Sequence, residues 1–117
     1  MGNNYSGELK VKNIAILGST GSVGTQALEV IRQNPDRFKA FILFANNNAD
    51  LLIQQALEFK PAFAVIGNYA KLDEIRKALR GTDTGVLYGT DELCEVLDRP
   101  ELSLVLTAMV GFAGLIP

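Results

Sequence analysis

The sequence predicts an α/β fold, a doubly wound parallel sheet with helices on both faces, on three observations. Segments of strand length alternate with segments of helical period from Val11 onward. The strand segments are almost continuously apolar, the pattern of strands covered on both sides. The first of them runs into a glycine-spaced turn that opens the first helix.

Val11 to Leu17 reads as the first strand. From Ser22 the period becomes helical, with Val23, Ala27, Val30 and Ile31 on one face, and Asn34-Pro35 stops it because the residue before a proline is pushed out of the helical region. Lys39 to Ala45, carrying Phe41, Ile42, Leu43 and Phe44, is the second strand, and Asn46-Asn47-Asn48 suits a tight turn and a helix N-cap. The second helix spans Ala49 to Phe59, and Pro61 separates it from a third strand at Phe63 to Ile66. Leu72, Ile75 and Leu79 mark a third helix closed by Gly81. Gly85 to Tyr88 gives a fourth strand, Thr90 caps a fourth helix bearing Leu93, Val96 and Leu97, and Leu102 to Thr107 gives a fifth strand. Right-handed crossovers lay each helix against the sheet. Ligands of such sheets bind beyond the carboxyl ends of the strands, where the strand order reverses, which nominates the loops after the first, second and fifth strands.

The 117 residues, 48% hydrophobic and 21% charged, suit one globular domain and not a disordered chain. A net charge of -2 offers no broad positive field to nucleic acid or anionic lipid, so neither is an expected partner. The single cysteine, Cys94, excludes an internal disulfide and a thiolate metal site, which fits a reducing, cytoplasmic setting. Residues 1 to 12 read as a flexible polar tail without the apolar core of a secretory signal, and residues 13 to 117 as the domain. No apolar run reaches the roughly 18 residues of a membrane-spanning helix.

Gly18-Ser19-Thr20-Gly21-Ser22-Val23-Gly24 carries the strongest signal. Between a strand and a helix, glycines allow a tight turn, a close backbone approach to a pyrophosphate and close packing of helix on strand, while free N–H groups at the helix start face the anion. The spacing therefore predicts a Rossmann-like dinucleotide site, with Thr20 and Ser22 adding hydroxyl donors. A nucleoside triphosphate loop would need a lysine after its last glycine, and none stands between Lys12 and Lys39. About 20 residues past the last glycine, an NAD site places an Asp or Glu on the ribose hydroxyls. Asn46, Asn47 and Asn48 stand there instead, with no carboxylate to repel a 2′-phosphate and amides that can donate to it, which favours NADP. The same three asparagines would equally serve a turn and a cap.

No histidine occurs, and no carboxylate cluster falls on the nominated loops, so no catalytic acid or base and no metal ligand is assigned. Cys94, between Glu92 and Glu95, reads as a structural thiol. The nearly wholly apolar stretch Ala108 to Pro117 is expected to run into further polypeptide, or else to dock on this domain's own sheet. The chain is read as able to hold a cofactor, not to turn over alone.

The run Asn13 to Gln26 resembles the opening of the 1-deoxy-D-xylulose 5-phosphate reductoisomerases, whose loop reads Gly-Ser-Thr-Gly-Ser followed by Ile or Val and Gly. Asn34-Pro35-Asp36-Arg37-Phe38 is similar to that family's link into its second strand, and Ala108 to Pro117 to its apolar segment ending Ala-Gly-Leu, any residue, Pro. The resemblance runs from Asn13 to Pro117. It implies an NADPH-dependent enzyme that uses Mg²⁺ or Mn²⁺ to rearrange and reduce the phosphosugar deoxyxylulose phosphate in non-mevalonate isoprenoid synthesis, as a homodimer. By position it implies that Thr20, Gly21, Ser22 and Val23 hold the pyrophosphate, that Asn46, Asn47 and Asn48 hold the adenosine ribose and 2′-phosphate, and that Ala108 to Phe112 line the nicotinamide side. The family often has Gly then Lys or Arg where this chain has Asn46 and Asn47. It also implies that the metal ligands and substrate site lie beyond Pro117, so the sequence reads as truncated before the catalytic domain. On the residues alone, an NADP-sensing module and the start of a semialdehyde or short-chain dehydrogenase stay open.

Overall fold

The computed structural model describes residues 11 to 108. Residues 1 to 10 of the expected tail and 109 to 117 of the apolar stretch lie outside them. Within them the elements run β1 (Lys12–Leu17), α1 (Ser22–Gln33), β2 (Phe38–Ala45), α2 (Ala49–Phe59), β3 (Phe63–Ile66), a 3₁₀ turn (Tyr69–Lys71), α3 (Leu72–Ala78), β4 (Gly85–Tyr88), α4 (Gly89–Leu97) and β5 (Leu104–Thr107). The strands form one sheet in the order β4-β3-β2-β1-β5, and every pairing is parallel.

Handedness places the helices. From β1 the chain steps outward to β2, β3 and β4, so right-handed crossovers put α1, α2 and α3 on one face; the return past β1 to β5 reverses direction and puts α4 on the other. The two cores follow. Ile14, Ile16 and Leu43 pack with Leu28 and Ile31 of α1, Leu52 of α2 and Ile75 of α3. Their strand neighbours Ala15, Ile42 and Phe44 point to the opposite face and meet Leu93 and Val96 of α4.

Three local expectations are corrected. Val23 and Val30 are not on the core face of α1: they are 46% and 51% exposed, and the buried stripe is Gly24, Leu28 and Ile31. The helix lies so close to the loop before it that a glycine, not a valine, occupies the contact. Thr90 does not cap α4. The helix begins two residues earlier than a Thr90 cap implies, at Gly89, Tyr88 holds the cap position, and the Glu92 carboxylate reaches back to accept its N–H at 2.8 Å. Finally, β5 starts at Leu104, because Leu102 is still in a turn, its N–H donating to the Arg99 carbonyl at 3.1 Å. Gly81 does close the third helical segment, at φ +87°.

Candidate functional site

The chain leaves β1 at Gly18, whose φ of +100° lies in the region that favours glycine. The N–H groups of Gly18 and Ser19 both donate to the Phe44 carbonyl, at 2.8 and 3.0 Å, which ties the turn to the end of β2. Gly21 is extended and caps α1 with no side chain. The first helical bond is Thr25 N–H to the Gly21 carbonyl at 2.9 Å, so the N–H groups of Ser22, Val23 and Gly24 have no acceptor among the described residues. These groups concentrate partial positive charge at the helix start.

The other two glycines of the loop do different work. A Cβ on Gly24 would lie 2.1 Å from the Gly18 carbonyl oxygen and 2.7 Å from Ser19 Cα, so its bareness lets α1 lie against the turn. A Cβ on Gly21 would meet nothing nearer than 3.7 Å. Packing does not require glycine there; its missing side chain leaves backbone open to a ligand.

Facing the loop stands the turn after β2. Asn48 Oδ1 accepts the Leu51 N–H at 3.1 Å and so caps α2. Asn47 Oδ1 accepts from Asn68 Nδ2 at 3.0 Å, and the Asn46 carbonyl accepts the Asn68 N–H at 2.8 Å. Asn46 packs over Gly67, where a Cβ would lie 2.4 Å from Asn46 Oδ1. With these oxygens engaged, the amide nitrogens of Asn47 and Asn48 are left to donate elsewhere. Asn68 escaped the sequence reading. It stands directly after β3, and only the sheet order, which sets β3 beside β2, would have nominated its loop along with Asn46 to Asn48.

Gly18, Thr20, Gly21, Ala45, Asn46, Asn47, Asn48 and Ala108 line one cleft of about 370 Å³. The Ala108 N–H donates to the Leu17 carbonyl at 2.7 Å, which brings the end of β5 to the end of β1. The three loops nominated by topology thus meet, and they do so where the strand order reverses between β1 and β5. Of the residues expected to hold the ligand, Thr20, Gly21, Asn46, Asn47 and Asn48 line the cleft. Ser22 and Val23 do not; they lie exposed at the start of α1. Of the Ala108 to Phe112 stretch only Ala108 is described. No Asp or Glu lines the cleft. A larger hollow of about 560 Å³, lined by Lys39, Lys60, Pro61, Gly81 and Thr84, sits at the opposite end of the sheet. It faces the amino ends of the strands and the carboxyl end of α2, with no helix N-terminus to receive an anion.

Fold and cleft define the class: a doubly wound, Rossmann-like domain with a glycine loop at its switch point. A family model described as 1-deoxy-D-xylulose 5-phosphate reductoisomerase matches residues 14–117, and the chain belongs to that family. It is 49% identical over 106 residues to the 1-deoxy-D-xylulose 5-phosphate reductoisomerase of Porphyromonas gingivalis, covering 91% of this chain and 28% of the relative. The Bacteroides thetaiotaomicron enzyme of that name is 49% identical over 108 residues, again covering 28% of the relative. This chain thus spans just over a quarter of the length of the curated relatives it matches. Among solved structures it is similar to the Zymomonas mobilis reductoisomerase in complex with NADPH, with a TM-score of 0.70 and 31% identity over 74% of this chain and 23% of that one. It is also similar to a reductoisomerase in complex with NADPH, fosmidomycin and magnesium, with a TM-score of 0.81 and 33% identity over 90% of this chain and 26% of that one. These matches do not favour the semialdehyde, short-chain or sensor readings.

Proposed function

We propose that this chain is the NADPH-gripping part of an enzyme that rearranges and reduces deoxyxylulose phosphate. The observation that carries the reading is the glycine loop at the switch point, whose Thr20 and Gly21 line one side of a cleft next to the unpaired N–H groups at the start of α1, while Asn46, Asn47 and Asn48 line the other. The loop fits a pyrophosphate, because the start of α1 offers donors and Gly21 adds no side chain that would hold a phosphate off. Thr20, Gly21, Ser22 and Val23 take the pyrophosphate. Asn46, Asn47 and Asn48 take the adenosine ribose and 2′-phosphate, with no carboxylate in the lining to oppose that charge. Ala108 and the residues after it, through Phe112, take the nicotinamide side. When bound, NADPH supplies a hydride; this chain's own residues bind and orient it.

Among the described residues no group of three or more His, Cys, Asp or Glu could hold a metal ion, so these residues offer magnesium or manganese no ligand set. The phosphosugar site, the metal site and a homodimeric, cytoplasmic whole protein belong to the proposal through the family. No helix among the described residues is long and apolar enough to cross a membrane. The test uses the protein as its gene encodes it. NADPH consumption, followed by absorbance, is expected only when deoxyxylulose phosphate and a divalent cation are both present. Consumption without the sugar phosphate, or none with it, rejects the reading.

A further inference from the structure

One polar side chain of the core stands outside the cleft and outside every role above. Gln55 lies on α2, among Leu52 and Ala56 of the apolar core, and is only 6% exposed. Its Nε2 donates to the main-chain carbonyl of Ser19 at 2.9 Å, across 36 residues of sequence. Ser19 is itself fully buried. Gln55 Oε1 and Ser19 Oγ find no partner among the described residues, so the helix carries a half-satisfied amide where a leucine would cost less.

What that amide holds explains its presence. Ser19 is pinned from two sides, its N–H by the Phe44 carbonyl and its C=O by Gln55. The peptide from Ser19 to Thr20 is trans, so its C=O and N–H point in opposite directions. With the carbonyl drawn inward to Gln55, the Thr20 N–H is turned outward, on a residue that lines the cleft. We infer that Gln55 is a positioning residue: it fixes the orientation of the Ser19–Thr20 peptide, and thereby aims a main-chain donor of the glycine loop at the anion. The same helix carries the Asn48 cap at its start, so α2 ties both walls of the cleft together. This inference rests on the reading of the cleft as the cofactor site.

Gln55→Met keeps length and volume and removes the donor, with Gln54→Met on the exposed neighbour as control. Two readouts separate the ideas. In amide hydrogen exchange, Gln55→Met is expected to speed exchange at Ser19 and Gly21 about ten-fold, the loss of one buried hydrogen bond, while Ile16 and Leu43 of the core keep their protection. In binding, it is expected to weaken NADPH about ten-fold and to leave adenosine 2′-monophosphate, which lacks the pyrophosphate, unchanged. A merely structural role would weaken both ligands alike, and that result, or unchanged exchange at Ser19 and Gly21, overturns the inference. Failure of the unsubstituted protein to bind NADPH sinks the cofactor reading, while exchange still decides the positioning of the loop. If Gln55→Met loses core protection, Gln55→Leu repeats the test.

Discussion

A Cβ at position 24 would strike the Gly18 carbonyl oxygen at 2.1 Å, whereas one at position 21 has 3.7 Å of clearance. Two alanine substitutions three residues apart therefore have opposite signatures. Gly24→Ala must push main chain aside, and chemical denaturation is expected to show a loss of about 2–3 kcal/mol. Gly21→Ala is expected to stay within about 1 kcal/mol of the parent in the same measurement, yet to lose at least about ten-fold in NADPH affinity, because the methyl would stand where the proposed function has the pyrophosphate approach. Asn47→Asp probes the other wall. A carboxylate still accepts the Asn68 amide, so the turn is kept, but it replaces an amide donor with a negative charge where the proposed function has the 2′-phosphate. The ratio of NADPH to NADH affinity is expected to fall about ten-fold or more by equilibrium titration. At this scale the sequence nominated the glycines and the kinds of role a glycine loop needs, but not the packing of α1 on the turn at Gly24. The close approach at Gly24 depends on how the turn folds back within six residues, the bonds Gln55–Ser19 and Asn47–Asn68 join segments 36 and 21 residues apart, and a Gln-Gln pair on a helix looks alike whether one of its members is buried or neither is.

Helices α1 and α2 are clamped on their outer side by Arg32, which bonds the Glu58 carboxylate, pairs with Glu29 and lies 5.2 Å from the centroid of the Phe59 ring. The Arg32 hydrogen bond lowers the Glu58 pKa from its ordinary range. A lowered carboxylate stabilises the fold above the ordinary glutamate range, and this contribution is lost as pH falls through the lowered value. The difference in stability between the parent and Glu58→Gln is thus expected to be constant near neutral pH and to shrink toward zero in acid, by denaturation at a series of pH values. It should be small and weaken with salt, since both side chains are about half exposed. The elements themselves were largely legible, because period and punctuation are local properties. The errors came where a close contact within a few residues overrode the apolar pattern: Gly24 faces in against the turn before it while Val23 and Val30 face out, and the Glu92 carboxylate accepts the Tyr88 N–H where Thr90 was expected to cap α4.

For the whole molecule, the handedness of the crossovers fixes which faces the helices cover, and the reversal between β1 and β5 fixes where the cleft opens. The position of the reversal and the face of each helix needed the strand pairing, whereas the nomination of the loops after the first, second and fifth strands followed from strand alternation alone. The place of Asn68 did not, because strand order beyond the first reversal is not written in any one segment. At the far edge β5 pairs only with β1 among the described residues, and its Leu104 and Val105 are 51% and 44% exposed. In the proposed function the small cleft, not the larger hollow beyond the amino ends of the strands, grips NADPH. Equilibrium titration of NADPH onto the protein as its gene encodes it, beside Gly21→Ala and Lys60→Ala, decides between the two hollows. Tight binding lost with Gly21→Ala and kept with Lys60→Ala is the predicted result, and binding that survives Gly21→Ala but falls with Lys60→Ala would contradict it.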